Sequence, residues 1–304
     1  MKKIITALKD YAHETSKPVL AAVSLLTAIL IFCNYYFGLD TLINNQQFIW
    51  ARLFYRYLIS VAAFAFPYYL YTRVEQRTYF QKPLFVWLVF IAPLIFAVKM
   101  TISTDLPLSG HPDWVKYWNL LIYWPLRVFI VFVPLWLLWK LFFREQSFFG
   151  VTIRGFGSKP YFIMLACMLP LIAVASTQPD FLLTYPKLNS LPYTIQHSPN
   201  SFLYTLLFEL SYGSDFFSIE LFFRGFLVLA FAKWAGKDAI LAMACFYCTI
   251  HFGKPLGECI SSYFGGLLLG IVIYSTRSIF GGLIVHVGIA WLMELGGYWG
   301  HVLK

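Results

Sequence analysis

Charge is what this chain has least of. Asp, Glu, Lys and Arg make up 12% of its 304 residues, against about 25% in a typical soluble protein, while hydrophobic residues make up 60%. So few charges cannot solvate an ordinary globular surface. With a mean hydropathy of +0.68, disorder, a collagen-like fibre and a nucleic-acid-binding domain are excluded. The net charge of +9 does not restore the last of these, because 23 Lys and Arg and 14 Asp and Glu are scattered along the chain. Membrane proteins acquire such an excess from their cytoplasmic loops. Cysteine is scarce as well: Cys33, Cys167, Cys245, Cys248 and Cys259 are odd in number, lie in or beside apolar segments and repeat no metal-type spacing. They read as packing residues. Internal repeats, low-complexity tracts, long soluble loops and an HExxH motif are all missing.

What the chain does have is apolar length. Stretches of spanning or near-spanning size run roughly 18–38, 52–72, 83–100, 118–143, 160–177, 214–232, 239–252, 258–276 and 279–297. A spanning backbone must satisfy its own hydrogen bonds, so each is read as a helix. The expected fold is an all-α, polytopic bundle of eight or nine transmembrane spans, with 201–212 an interfacial or re-entrant piece. No small-residue cleavage site follows the first run, which is therefore a retained span. Lys2, Lys3, Lys9, Lys17, Arg73, Arg77, Lys82, Lys140, Arg144, Arg154, Lys159, Lys233, Lys237 and Arg277 fall on one set of alternate loops. Asp40, Asp105, Asp113 and Asp180 fall on the other set. That alternation predicts a cytoplasmic N-terminus in a cell (inner) membrane. Residues 1–178 read as scaffold helices, 179–200 as an extramembrane loop and 201–304 as the functional helical core.

The acids, histidines and arginines inside the spans narrow the search. A charge at the bilayer centre costs about 2.5–3.5 kcal/mol even on the lower scales, so such groups face one another or a wet cavity. Glu220, Glu294, His251, His286, Arg127 and Arg224 are the deep ones, with Glu209 in the 201–212 piece. Arg127, beside Pro125, reads as a structural cation that serves freed carbonyls or snorkels. In SIELFFRGF, Glu220 and Arg224 are four apart, the favourable order for a helical ion pair. In YCTIHFGKP, Tyr247 and His251 are again four apart; in GGLIVHVGIAWLMELGG, His286 and Glu294 are eight apart on one face. Gly265-Gly266, Gly281-Gly282 and Gly296-Gly297 would let such helices approach closely. Carboxylates and imidazoles in a wet intramembrane cavity can activate water. Glu220, His251, His286 and Glu294 could also supply the three N/O ligands of a catalytic Zn²⁺ or another divalent metal.

Together these residues resemble the motifs of the CPBP family, the CAAX proteases and bacteriocin-processing enzymes also described as type II CAAX prenyl endopeptidases. Those motifs are a Glu-Glu pair followed after three residues by Arg, an aromatic four before a His, and a His four before Asn or a similar residue. Glu220 and Arg224, then Tyr247 and His251, then His286 follow in the same order over about residues 200–300. The resemblance implies an intramembrane endopeptidase, a metalloprotease-type hydrolase, acting on a membrane-associated peptide or protein, prenylated substrates among them. Its catalytic set would be Glu220, Arg224, His251, His286 and Glu294, with the bilayer as the other partner. Two positions depart from the pattern: Ile219 stands where the water-activating Glu is expected and Ala290 where the Asn is. Glu294, one turn beyond Ala290, is the natural compensating group. The alternative implied is a non-catalytic membrane binding or bacteriocin-immunity protein.

Overall fold

The computed structural model describes residues 2–154 and 156–303, and all secondary structure among them is helical. The α-helices are α1 Lys2–Glu14, α2 Lys17–Phe37, α3 Leu39–Asn44, α4 Ile49–Val74, α5 Pro83–Thr101, α6 Pro112–Phe142 and α7 Lys159–Ala175. They continue as α8 Pro179–Thr184, α9 Tyr193–Gln196, α10 Ser201–Glu220, α11 Ala232–Ala235, α12 Asp238–Thr249, α13 Leu256–Thr276 and α14 Phe280–Val302. Directly after α10 the helix widens into a π segment, Leu221–Ala230.

Six of the described helices, α2, α4, α5, α6, α13 and α14, are long and apolar enough to cross a membrane. Hydropathy leads to an expectation of eight or nine spans; by length and composition six of the described helices qualify. The 160–177 stretch forms the 17-residue α7, and 239–252 forms the 12-residue α12. The pieces at 201–212 and 214–232 belong to one helical run over 201–230. The outward side chains suit hydrocarbon: Leu25 on α2 and Phe129 on α6 are each 63% exposed.

The chain divides into two compact units, each gathered from separated stretches. The first draws its described residues from Met1–Thr101, Pro134–Phe156 and Leu221–Phe280. At its centre lies α12, where every residue over 238–248 is buried. Twelve residues rise about 18 Å, short of a bilayer's roughly 30 Å core. Its all-round apolarity therefore answers to burial among α2, α4, α13 and the π segment. Gly266 on α13 permits that closeness, since a Cβ there would lie 3.1 Å from the Tyr247 ring. The first turn of α12 is anchored by Asp238, which accepts from Tyr79 Oη at 2.5 Å and pairs with Arg77 at 3.4 Å.

The second unit draws on Ile102–Val133, Gly157–Glu220 and Gly281–Lys304. Its core holds Ile172 of α7 and Met293 of α14 against Phe181, Leu182 and Tyr185. Leu191 and Ile195 pack with Tyr117 of α6 and Phe208 of α10. The 179–200 segment carries α8, the 3₁₀ turn Lys187–Ser190 and α9, and its own apolar residues pack on helices distant in sequence.

Candidate functional site

In the second unit, α10 and α14 bring Glu220 and His286 together. Imidazole Nδ1 lies 3.0 Å from Glu220 Oε1. A carboxylate oxygen accepts, so Nδ1 is the donor of this contact. The Glu220 side chain is fully buried, whereas that of His286 is 14% exposed. Phe216, one turn before Glu220, sets its ring 4.7 Å from the imidazole. The pair is therefore oriented from both sides, with the acid inside and the imidazole at the reachable end.

The two departures from the family pattern meet in this unit. Ala290 is buried with Tyr212 and Phe216, and Ile219 packs on the same cluster with Trp124, Leu283 and Val287. Where the resemblance implies a carboxylate and an amide, this chain has apolar packing.

Glu294 lies about 12 Å from His286 along α14, at 1.5 Å per residue. Its Oε1 accepts the Lys187 amide at 2.8 Å and its Oε2 the Leu188 amide at 3.3 Å. Those amides open the 3₁₀ turn Lys187–Ser190, so the carboxylate caps a helical N-terminus and ties the 179–200 segment to α14. Glu209 lies nearby on α10, outside the six spanning helices. Burial, then the neighbouring Glu294 carboxylate, push it up to about 7, and the Trp291 indole offsets them only in part. Arg127, expected to serve carbonyls or snorkel, has other partners. It donates to Tyr123 Oη at 2.6 Å and lies 3.8 Å from Asp215. The pair is buried on both sides, and Ser218 Oγ donates to Asp215 Oδ1 at 2.9 Å. Sequence spacing could not reveal this ion pair, because its halves lie 88 residues apart.

The first unit holds Arg224, Tyr247 and His251. Arg224, in the π segment, is fully buried with Cζ 4.0 Å from the Tyr247 ring centroid. The other side of the link is His251, whose ring lies 4.8 Å from Tyr247. Tyr247 therefore joins the arginine to the histidine. His251 stands just past the end of α12, with Nδ1 3.0 Å from the Tyr247 carbonyl. A carbonyl only accepts, so Nδ1 donates. Two α2 side chains hold the turn: Asn34 Nδ2 donates to Phe252 O at 2.9 Å and Tyr35 Oη to Lys254 O at 2.6 Å. Lys99 escaped the sequence reading. It occupies the last turn of α5, where a lysine is expected to snorkel, yet it is fully buried, 4.8 Å from the Phe96 ring.

Catalytic zinc usually takes three protein ligands. Among the described residues, no three His, Cys, Asp or Glu side chains are grouped to hold a metal ion. Glu220 and His286 are two donors, and both oxygens of Glu294 already accept backbone amides. This arrangement does not fit a metal, and no chemical step is assigned to one.

Residues 214–292 match the family described as type II CAAX prenyl endopeptidase Rce1-like. The matched stretch contains Glu220, Arg224, Tyr247, His251 and His286. No curated protein and no solved structure matches the chain.

Proposed function

We propose, from the premise that residues 214–292 form an Rce1-like domain consistent with CPBP family membership, that this integral membrane protein is an intramembrane endopeptidase. One observation carries the reading: the Glu220–His286 pair has its carboxylate fully buried and its imidazole at the exposed end. In this reading His286 Nε2 takes a proton from water while Glu220 holds the ring and balances the imidazolium. The hydroxide adds to the scissile carbonyl carbon, the tetrahedral intermediate collapses, and the imidazolium returns its proton to the departing amine. The pair thereby supplies the base missing at Ile219. Glu294 is assigned to holding the 179–200 segment, and Arg224 and His251 are carried as required residues on their motif positions. The substrate class proposed is a membrane-associated peptide, prenylated near its C-terminus.

Purified protein in lipid should cleave such a peptide. Glu220→Gln and His286→Ala should each lower kcat by about 10²–10⁴, the range of general acid–base catalysis, with folding unchanged by thermal melt. Turnover at the wild-type level in both variants would overturn the assignment. His251→Ala tests the second imidazole in the same assay. Chelation followed by zinc addition tests the metal separately, and loss restored by Zn²⁺ would replace the imidazole mechanism with a metal-assisted one.

The apolar packing of Ile219 and Ala290 favours a second reading, a non-catalytic membrane binding or immunity protein. It expects no cleavage by wild type with any divalent ion. It also expects Glu220→Gln to weaken capture of a crosslinked membrane partner.

A further inference from the structure

The turn that carries His251 is bracketed by two thiols. Cys248 lies in the last turns of α12 and Cys259 in the first turns of α13, within the same compact unit. Their Sγ atoms are 3.9 Å apart. Each thiol also faces the other's backbone: Cys248 Sγ is 3.4 Å from Cys259 O, and Cys259 Sγ is 3.8 Å from Cys248 O. Eleven positions separate the two in sequence, a spacing that signals nothing on one helix. The chain reversal over 249–255 brings them level.

The surroundings restrict what the pair can do. Both cysteines are fully buried. The reversal between them is fixed from α2 by Asn34 and Tyr35, and Lys254 and Glu258 form an ion pair across it at 3.5 Å. A disulfide needs the sulfurs at about 2.05 Å, less than 2 Å closer than they stand.

We infer that Cys248 and Cys259 form a dithiol–disulfide site that staples the His251 turn. The oxidant is a disulfide, either a small molecule or a thiol–disulfide oxidoreductase. One cysteine loses its proton to water, and its thiolate attacks a sulfur of that disulfide, expelling one thiolate. The second cysteine, likewise deprotonated, attacks the cysteine sulfur of the mixed disulfide and expels the other half of the reagent. The protein gives up two electrons and two protons, and the reagent leaves as two thiols. Burial makes opening of the 249–255 turn a condition of the first attack, so the reaction is slow in the closed state. The inference does not rest on the proposed peptidase activity, and its test does not depend on cleavage.

The test uses the full chain in micelles with Cys33, Cys167 and Cys245 replaced by serine. The protein is incubated with excess oxidised glutathione, alkylated in denaturant and mapped by mass spectrometry. The expected product is a peptide joining Cys248 to Cys259, lighter by two hydrogens, about 2 Da, and lost on phosphine reduction. Amide exchange over 250–254 should slow on oxidation, and Cys248→Ser should abolish both effects. Recovery of both cysteines as separate alkylated or glutathione-bearing peptides would overturn the inference. If the triple variant does not fold, the wild-type chain gives the same decision. A dominant 248–259 link supports the site, and links spread evenly over all five cysteines overturn it.

Discussion

Glu209 and Glu220 share one helix and have opposite surroundings. Glu220 faces an imidazole at 3.0 Å. Glu209 is raised to about 7, first by burial and then by the neighbouring Glu294 carboxylate. A carboxyl raised on folding favours the protonated native state. Its contribution to stability is full below its ordinary value near 4.5 and is lost as pH rises through about 7. Glu209→Gln should therefore stabilise the protein at pH 8 by about 1–2 kcal/mol, after discounting for partial exposure. Below about pH 4.5 the difference should vanish. Melting temperatures of the two proteins in one detergent across that range check the expectation; a constant difference would refute it.

At the scale of elements, close approach decides how α14 holds the 179–200 segment. A Cβ on Gly297 would lie 2.6 Å from both Tyr185 C and Pro186 N. Those are backbone atoms that cannot swing aside. Gly297→Ala should cost about 1–3 kcal/mol, the usual range for overpacking, read as a lowered Tm. Gly265→Ala, with nothing within 4 Å, is the matched control and should be near neutral. The π segment is the other element with consequences. An α-helix predicted from 3.6-residue spacing becomes a wider helix from Leu221, immediately after Glu220. π geometry inside helices often marks functional positions, and the register that stacks residues four apart in an α-helix does not carry through it.

At the scale of the whole molecule, the spanning helices and the asymmetry of basic loops define an orientation to be measured. Positive charge collects on alternate loops, so Arg77→Cys should react with a membrane-impermeant maleimide only after permeabilisation. Ser109→Cys should react from outside in intact cells, both in a cysteine-free background. The reverse pattern would invert the topology.

Much of this was legible in the chain itself. Scarce charge and long apolar runs determine an all-helical membrane protein, because a continuous apolar run of spanning length satisfies its backbone hydrogen bonds within itself as a helix, whereas barrel strands are short and alternating. Intramembrane Glu and His residues stand out for their cost in lipid, and three spaced motifs point to the family. The tertiary structure alone decided which of them meet. Glu220 with His286, Arg127 with Asp215 and Cys248 with Cys259 are pairs whose halves come from different helices. Glu294 is bound to backbone amides that no side-chain motif announces. Hydropathy and local spacing act along one strand of sequence, whereas partners are chosen by packing between strands far apart.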